Sequence, residues 1–299
     1  MYSIKEQEIM NLADSYTIMY SYIVSEVLKD FGEKGDAAIR DGTRRYGKDR
    51  AITTRNKHLA VGAKINMKNL FTLFFDLPND PRFRREKQEL NTQERVSHTL
   101  VCPMADIWEK HGHMDIGRMY CEEFHFACYN NYAYGYTRVN LAKTLTQKGD
   151  AYCAFNVILR PETLPDELKP LCFEEYDSTY VEPDIKQLLP DAKSGFQLLS
   201  IKLYYHLLSA CLEALGEDCL KSICKGIEKF ATASCVFLKE SAETHNLSMD
   251  KEWLENNFPF SINGYNSEFW KGYDQNNAEE IMTDLLKRIF ADKLEITIR

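Results

Sequence analysis

Apolar residues recur at helical spacing from the start of the chain. Within 5–30 they fall at Ile9, Leu12, Tyr16, Met19, Tyr20, Ile23 and Val27, the three- and four-residue steps that line up one helix face. Gly32 follows as a stop, because glycine adopts the backbone conformations that end helices. A second helix is expected over about 34–48, with Ala37, Ala38, Ile39 and Tyr46 inward and the arginines outward. A third is expected over roughly 51–76, until Pro78 and Pro81 break the pattern.

The period then changes. QERVSHTLV (93–101) alternates as a strand does, with Val96, His98 and Leu100 on one face. Pro103 suits the first turn of a short helix over 104–112, and another helix is expected over 115–130. YGYTRVNLAKTLT (134–146) and YCAFNVIL (152–159) have the pattern of two strands, with QKGD between them as a hairpin turn. Strand, two helices, strand, strand is the order of an antiparallel α+β unit, not of alternating βαβ. Residues 161–193 are rich in Pro and acidic residues, as in a linker or wrapping arm with short helical turns. Helical spacing returns over 195–246 and 276–291, and the final LEITIR has the pattern of a strand.

The expected fold class is therefore α+β: a helical N-terminal part, a small antiparallel sheet with two helices over 93–160, and a mainly helical C-terminal part. The expected organisation is a domain over 1–160 with the candidate site, an arm over 161–193, and a helical domain over 194–299. An internal echo crosses that division. YSYIVSEVLKDFGEKGDAAIRDGTRRY (20–46) resembles YYHLLSACLEALGEDCLKSICKGIEKF (204–230) at an offset of 184. Gly32 pairs with Gly216, Ile39 with Ile223, Gly42 with Gly226, Leu70 with Leu254 and Phe74 with Phe258. A degenerate duplication would leave the second copy without the Cys102 and Cys121 region.

Composition narrows the function classes. A hydrophobic fraction of 44% and an aromatic fraction of 12% in 299 residues describe a core-forming protein. The formal charge of −8 leaves no global nucleic-acid footprint. The densest basic stretch, Arg40 to Arg55, is mixed with acidic residues and fits a solvated helix face. The first residues, MYSIKEQEIM, lack the apolar region of a signal peptide, and no run of about 18 apolar residues occurs. Neither nucleic acid nor membrane is an expected partner. Nine cysteines without a CxxC pair suit reduced thiols and a cytoplasmic location. GxGxxG, GxxxxGK[ST], GxSxG and HExxH are all absent, and no cofactor is expected.

Chemistry concentrates in RMYCEEFHFACYNNYAYGY (118–136), where Cys121 and His125 lie one helical turn apart. A metal would need a second ligand pair, and Cys102, His98, His111 and His113 offer no zinc spacing, so no metal is expected. A thiolate–imidazolium pair is the catalytic alternative. The plain alternative is a buried cysteine beside a hydrogen-bonded histidine. Cys153 shares a face with Phe155 and Val157 and is expected in the core; Cys211, Cys219, Cys224 and Cys235 in the helical second half are expected as core or helix-packing residues.

Four segments in order, FGEKGDAAIRDGTRRYGKDRA (31–51), CPMADIWEKHG (102–112), IGRMYCEE (116–123) and KTLTQKGDAYCAF (143–155), resemble the L-2-amino-thiazoline-4-carboxylic acid hydrolase family. The resemblance covers about 30–160. Where family members commonly carry Phe-Asn-Pro after the Tyr-Cys helix, this chain has YNNYAYGY. The resemblance implies hydrolysis of a cyclic isothiourea: water adds at the ring carbon between N and S, and the ring opens. Such chemistry needs a base or thiolate, an acid, and a cation for the substrate carboxylate. Cys121, His125, Glu122 and Cys102 are the candidates for the first two roles, and Arg118 or Arg138 for the third. Tyr120, Tyr134 and Tyr136 would line the pocket of the small-molecule substrate. Arg118 and Arg138 also fit plain surface charges, and Glu122 a solvated one. Two rivals stand beside the hydrolase. One is a non-catalytic small-molecule sensor resembling vinyl-reductase-type binding domains. The other is a dimerising module, a homodimer built on helices 5–30 and 196–215.

Overall fold

Ten helices and four strands follow in chain order: α1 (Ile4–Ala60), α2 (Met67–Thr72), β1 (Arg84–Leu90), β2 (Glu94–Val101), α3 (Pro103–Lys110), α4 (Met114–Tyr132), β3 (Arg138–Lys143), β4 (Cys153–Ile158), α5 (Lys169–Cys172), α6 (Ala192–Leu215), α7 (Cys219–Thr244), α8 (Lys251–Asn257), α9 (Ser267–Trp270) and α10 (Ala278–Leu294). This is the described part of a computed structural model, covering residues 2–73, 79–185, 191–262 and 264–294. The fold is α+β, as the periodicity implies.

α1 opens on a capping box: the Ser3 side chain accepts from the Glu6 N–H, and the Glu6 carboxylate accepts from the Ser3 N–H at 2.8 Å. Gly32 (φ 52°, ψ −128°) interrupts it, a conformation that side chains avoid. The limbs on either side, 4–31 and 33–60, run antiparallel. Hydrogen bonds from Tyr16 to Tyr46 (2.9 Å) and between Tyr20 and Thr43 (3.3 Å) lace them together. The expected second and third helices are thus one limb continuing to Ala60. The break comes at Gly62 (φ 77°), before the short α2. The 74–76 end of the expected third helix lies outside the described residues.

α6 and α7 form a second hairpin around Gly216 (φ 73°). Both pack on α1, and the contacts answer each other. A Cβ on Gly42 would stand 2.8 Å from the His206 carbonyl and 3.0 Å from Leu207 Cα. One on Gly226 would stand 3.0 Å from the Tyr22 carbonyl and 2.5 Å from Ile23 Cα. Each position lies 184 residues from its counterpart, and such reciprocity is what a twofold relation requires. The same offset joins the ends of α1 and α7 at Ala60 and Thr244. It also joins α2 to α8, whose N-caps Asn66 and Asp250 accept from Asn69 and Trp253 N–H. The echo in the sequence is therefore a repeated helical hairpin plus a short helix. After it the first copy continues into the sheet and the second into α9 and α10.

The sheet has the order β1-β2-β4-β3, antiparallel throughout. α3 and α4 connect β2 to β3. Arg95, Ser97 and Thr99 pair with Val157, Phe155 and Cys153. Lys87 and Arg85 pair with Ser97 and Thr99, and Val139 and Leu141 with Val157 and Phe155. These residues share one face by the period of two, and that face meets α4. The expected face Val96, His98 and Leu100 is the outer one. His98 packs there against the Tyr152 ring at 4.5 Å, and small hydroxyl residues carry the buried side. β1 (RREKQEL) escapes the alternation argument because it is a charged, exposed edge strand. The strand expected over 134–146 is shorter, because Tyr134 (φ 58°) and Gly135 (φ 93°) turn the chain after α4.

Residues 161–180 lie against the α1–α2 link: Lys64 Nζ donates to the Pro170 carbonyl and to Asp177, both at 2.6 Å, and the Ile65 N–H to the Leu171 carbonyl. Of LEITIR, Leu294 ends α10 and the rest lies outside the described residues. The buried apolar residues form one cluster from Leu12, Met19 and Tyr46 through Phe124 and Tyr132 to Leu207, Ile227, Phe258 and Phe290. α6 is long and apolar enough by composition to cross a membrane, contrary to the expectation that no segment is, but here most of it is buried in this core.

Candidate functional site

α4 presents two different faces. Tyr120, Phe124 and Cys128 are buried toward α1. The Tyr120 hydroxyl meets that of Tyr16 at 2.5 Å, and Phe124 stacks on Tyr46 at 5.5 Å between centroids. Close approach is possible because Gly47 has no side chain: a Cβ there would meet Ala127 Cβ at 2.9 Å. The other face carries Cys121, His125 and Tyr129, spaced one turn apart. It looks onto the inner face of the sheet. The His125 ring meets Phe155 edge-on at 4.9 Å and Tyr129 at 5.5 Å.

Three thiols gather at one end of this cleft. Cys102 stands at the N-cap of α3, Cys121 on α4 and Cys153 at the start of β4, near enough for charge on Cys102 or Cys153 to disfavour charge on Cys121. Burial pushes the Cys102 thiol up to about 11 and the Cys121 thiol well above its ordinary value. The β3–β4 turn closes over them. Leu145 N–H donates to Cys153 Sγ (3.3 Å), Thr144 N–H to Asp150 (3.0 Å), and the Thr144 and Thr146 hydroxyls meet at 3.0 Å. Thr146 in turn hydrogen-bonds Cys121 and works against the rise. Among the described residues no trio of side chains is arranged to hold a metal ion.

Arginines converge from three elements. Arg50 on α1 lies over the Phe124 ring at 5.3 Å, Arg95 on β2 over Phe71 at 4.1 Å, and Arg85 on β1 over Phe83 at 3.6 Å. Burial lowers the pKa of Arg85 and Arg95 from the ordinary guanidinium value. Arg85 is exposed at the edge of the sheet, on the face that meets α4. Among the described residues neither Arg85 nor Arg95 has a carboxylate within ion-pair distance. Burial first, then the charges of Arg50, Arg95 and Arg85, lower the His125 imidazole to about 3, so it is neutral. Its Nδ1 is buried without a hydrogen-bond partner, as is the Ser97 hydroxyl on the facing strand. Orphaned polar atoms beside two arginines that lack a carboxylate mark a place where a polar, anionic group belongs.

The structure brings Cys102, Cys121 and His125 together and sends the other candidates elsewhere. Glu122 is exposed and pairs with Arg40 at 2.9 Å. Arg118 sits at the rim, donating to Gln147 of the β3–β4 turn at 3.0 Å and lying 3.7 Å from Glu122. Arg138 pairs with Ile158 in the register and so stands on the outer face, away from the cleft. Tyr120 is core, not pocket wall. Tyr134 lies beyond the end of α4, eleven helical residues past Cys121 to Tyr132, roughly 16 Å along the axis. It holds Arg55 over its ring at 4.3 Å. Tyr136 is exposed in the same turn. The lining residues not anticipated are Arg50, Arg85, Arg95, Ser97 and Thr146, and Cys153 stands beside them, buried as expected. The alternation Arg95, Ser97, Thr99 was a usable signal, since a polar face repeated every second residue on a central strand needs an occupant. Nothing in RREKQEL marks Arg85.

Residues 13–157 match the L-2-amino-thiazoline-4-carboxylic acid hydrolase family. The matched segment runs from α1 to β4 and contains every residue of the cleft named above; the second hairpin lies outside it. This part of the chain resembles a family of small-molecule hydrolases, as its motifs implied. No curated protein and no solved structure matches the chain.

Proposed function

We propose that the cleft between α4 and the inner face of the sheet hydrolyses a small cyclic isothiourea or amidine that carries a carboxylate. The observation that carries the reading is the neutral, partnerless His125 Nδ1 set among Arg50, Arg85 and Arg95, inside the segment that resembles a hydrolase family.

Arg85 and Arg95 are shaped to take a carboxylate. Its arrival neutralises two of the three cations that hold the His125 pKa down, so the substrate raises the basicity of its own base. His125 then accepts a proton from water as the water oxygen bonds to the ring carbon between N and S. The carbon–sulfur bond breaks, the imidazolium returns its proton to the departing sulfur, and one water has been added. Cys121 remains a neutral thiol, because burial opposes its ionisation. It serves as a hydrogen-bond donor toward the ring heteroatoms, and thiolate addition is the less favoured route.

The test is ring opening by the reduced, purified protein across cyclic isothioureas, amidines and hydantoins with and without a carboxylate, followed as released thiol for the isothioureas and as the mass gain of one water for the others. Expected are turnover of a carboxylate-bearing isothiourea, a loss of about 10²–10⁴ in kcat for His125→Ala, and a raised KM for Arg95→Ala. Cys121→Ser separates the routes: it retains most activity when water attacks and loses it when the thiolate does. No ring opening by the folded protein with any member of the panel would sink the proposal. Binding without turnover would favour the sensor instead.

A further inference from the structure

A cavity opens on another side of α1, between the limb 33–60, α6 and residues 275–276. Its volume is about 760 Å³, within the range of small-molecule sites. Ile52, Leu212 and the Tyr205 ring supply apolar wall. At its floor Asp49 accepts from Lys202 Nζ (2.7 Å), His206 Nε2 (2.9 Å) and the Tyr273 hydroxyl (2.8 Å). Burial works to raise the Asp49 pKa, but these bonds and the Lys202 charge hold it well below the usual carboxylate range. Glu213 at the rim is gripped by Arg45 through two bonds of 2.8 and 2.7 Å. The acids of the cavity are thus matched.

Two groups are left over. Lys48 is exposed at the mouth, and among the described residues its ammonium has no ion-pair or hydrogen-bond partner. The Ser209 hydroxyl lines the cavity, is buried, and has no hydrogen-bond partner, with the residue 9% exposed. One spare cation, one buried orphan hydroxyl and an apolar wall define a ligand. At the position 184 residues along the repeat, Lys229 replaces Arg45 and closes on the buried Glu26. Ion pairs occupy that side of the second hairpin, whereas the first leaves a cavity.

We propose that this cavity is a second small-molecule site, separate from the α4 cleft. It takes an organic monoanion with an apolar body, its carboxylate at Lys48, a hydrogen bond at Ser209, and its body against Ile52, Leu212 and Tyr205. A dianion such as inorganic phosphate finds no second unmatched cation there.

The probes are 3-phenylpropionate, its amide, and 3-phenylpropylamine, titrated by calorimetry into the full-length protein. The carboxylate is expected to bind, the amide more weakly, and the amine not at all. Lys48→Glu is expected to weaken the carboxylate by about tenfold, the scale of reversing one exposed charge. Ser209→Leu removes the hydroxyl and pushes an isobutyl group into the cavity, and should abolish binding without lowering the melting temperature. Arg95→Ala, which alters the other cleft, should leave the affinity unchanged. Should Ser209→Leu fail to fold, the exposed Lys48→Glu decides alone. The proposal is overturned when no probe binds, when the three bind alike, or when binding is lost with Arg95→Ala rather than with Lys48→Glu.

Discussion

His125 sits against Phe155 and Tyr129 with three arginines in its field, and its protonation is penalised on both counts. Below the ordinary value of 6.5 the unfolded chain binds a proton that the folded chain refuses until about 3. Stability is therefore lost as pH falls through that window. His125→Gln should unfold less readily than the parent at about pH 4.5, inside that window, with little difference at about pH 8, as read from urea midpoints. A parent and variant with parallel pH profiles would show that the imidazole titrates normally. The thiols carry a second prediction. Cys102 and Cys121 have raised pKa values through burial, so at neutral pH iodoacetamide should modify both far more slowly in the folded than in the unfolded protein. Rapid labelling of Cys121 in the native state would restore the thiolate route. The Cys121–His125 spacing was legible from the chain because one helical turn brings i and i+4 to one face. Arg85 was not, because the register of β1 against β2 decides which of its residues share that face.

Among the elements, the hairpins depend on glycines at their closest approach. Gly226 lies against Ile23 backbone and Gly42 against His206 and Leu207 backbone, where neither partner can step aside. Gly226→Ala and Gly42→Ala should each cost about 1–3 kcal/mol, as overpacking does, measured from denaturant midpoints. Gly32→Ala should also destabilise, for a different reason: nothing stands near its Cβ, but φ is 52°, a strain of about 1–3 kcal/mol. Equal stability of Gly226→Ala and parent would remove the close packing from the account. Periodicity located both limbs of α1, α4, β2 and β4 because each buries one regular face. It failed at β1, which buries no apolar face, and it chose the wrong face of β2. There the buried residues are Ser97 and Thr99, and the apolar-looking set faces outward.

At the scale of the molecule, α1 shares one buried cluster with α4 on one side and with α6 and α7 on the others. A fragment of residues 1–160 would expose the surfaces that Gly42 and Ile23 press against the second hairpin. It should show no cooperative thermal transition and should bind a hydrophobic dye. A sharp two-state melt of that fragment would make it an independent unit. The same limb of α1 serves both places, since Asp49 lines the cavity and its neighbour Arg50 acts on His125. The spacing of apolar residues, Gly32 and Gly216, and the 184-residue echo suffice for the class of fold and for the repeated hairpin, because these are local preferences written every few residues. Which arginines meet His125, which candidates turn away, and where a cavity is left open were decided by packing. Those depend on strand register and on contacts between residues far apart in sequence, where a single backbone pairing selects one face over the other.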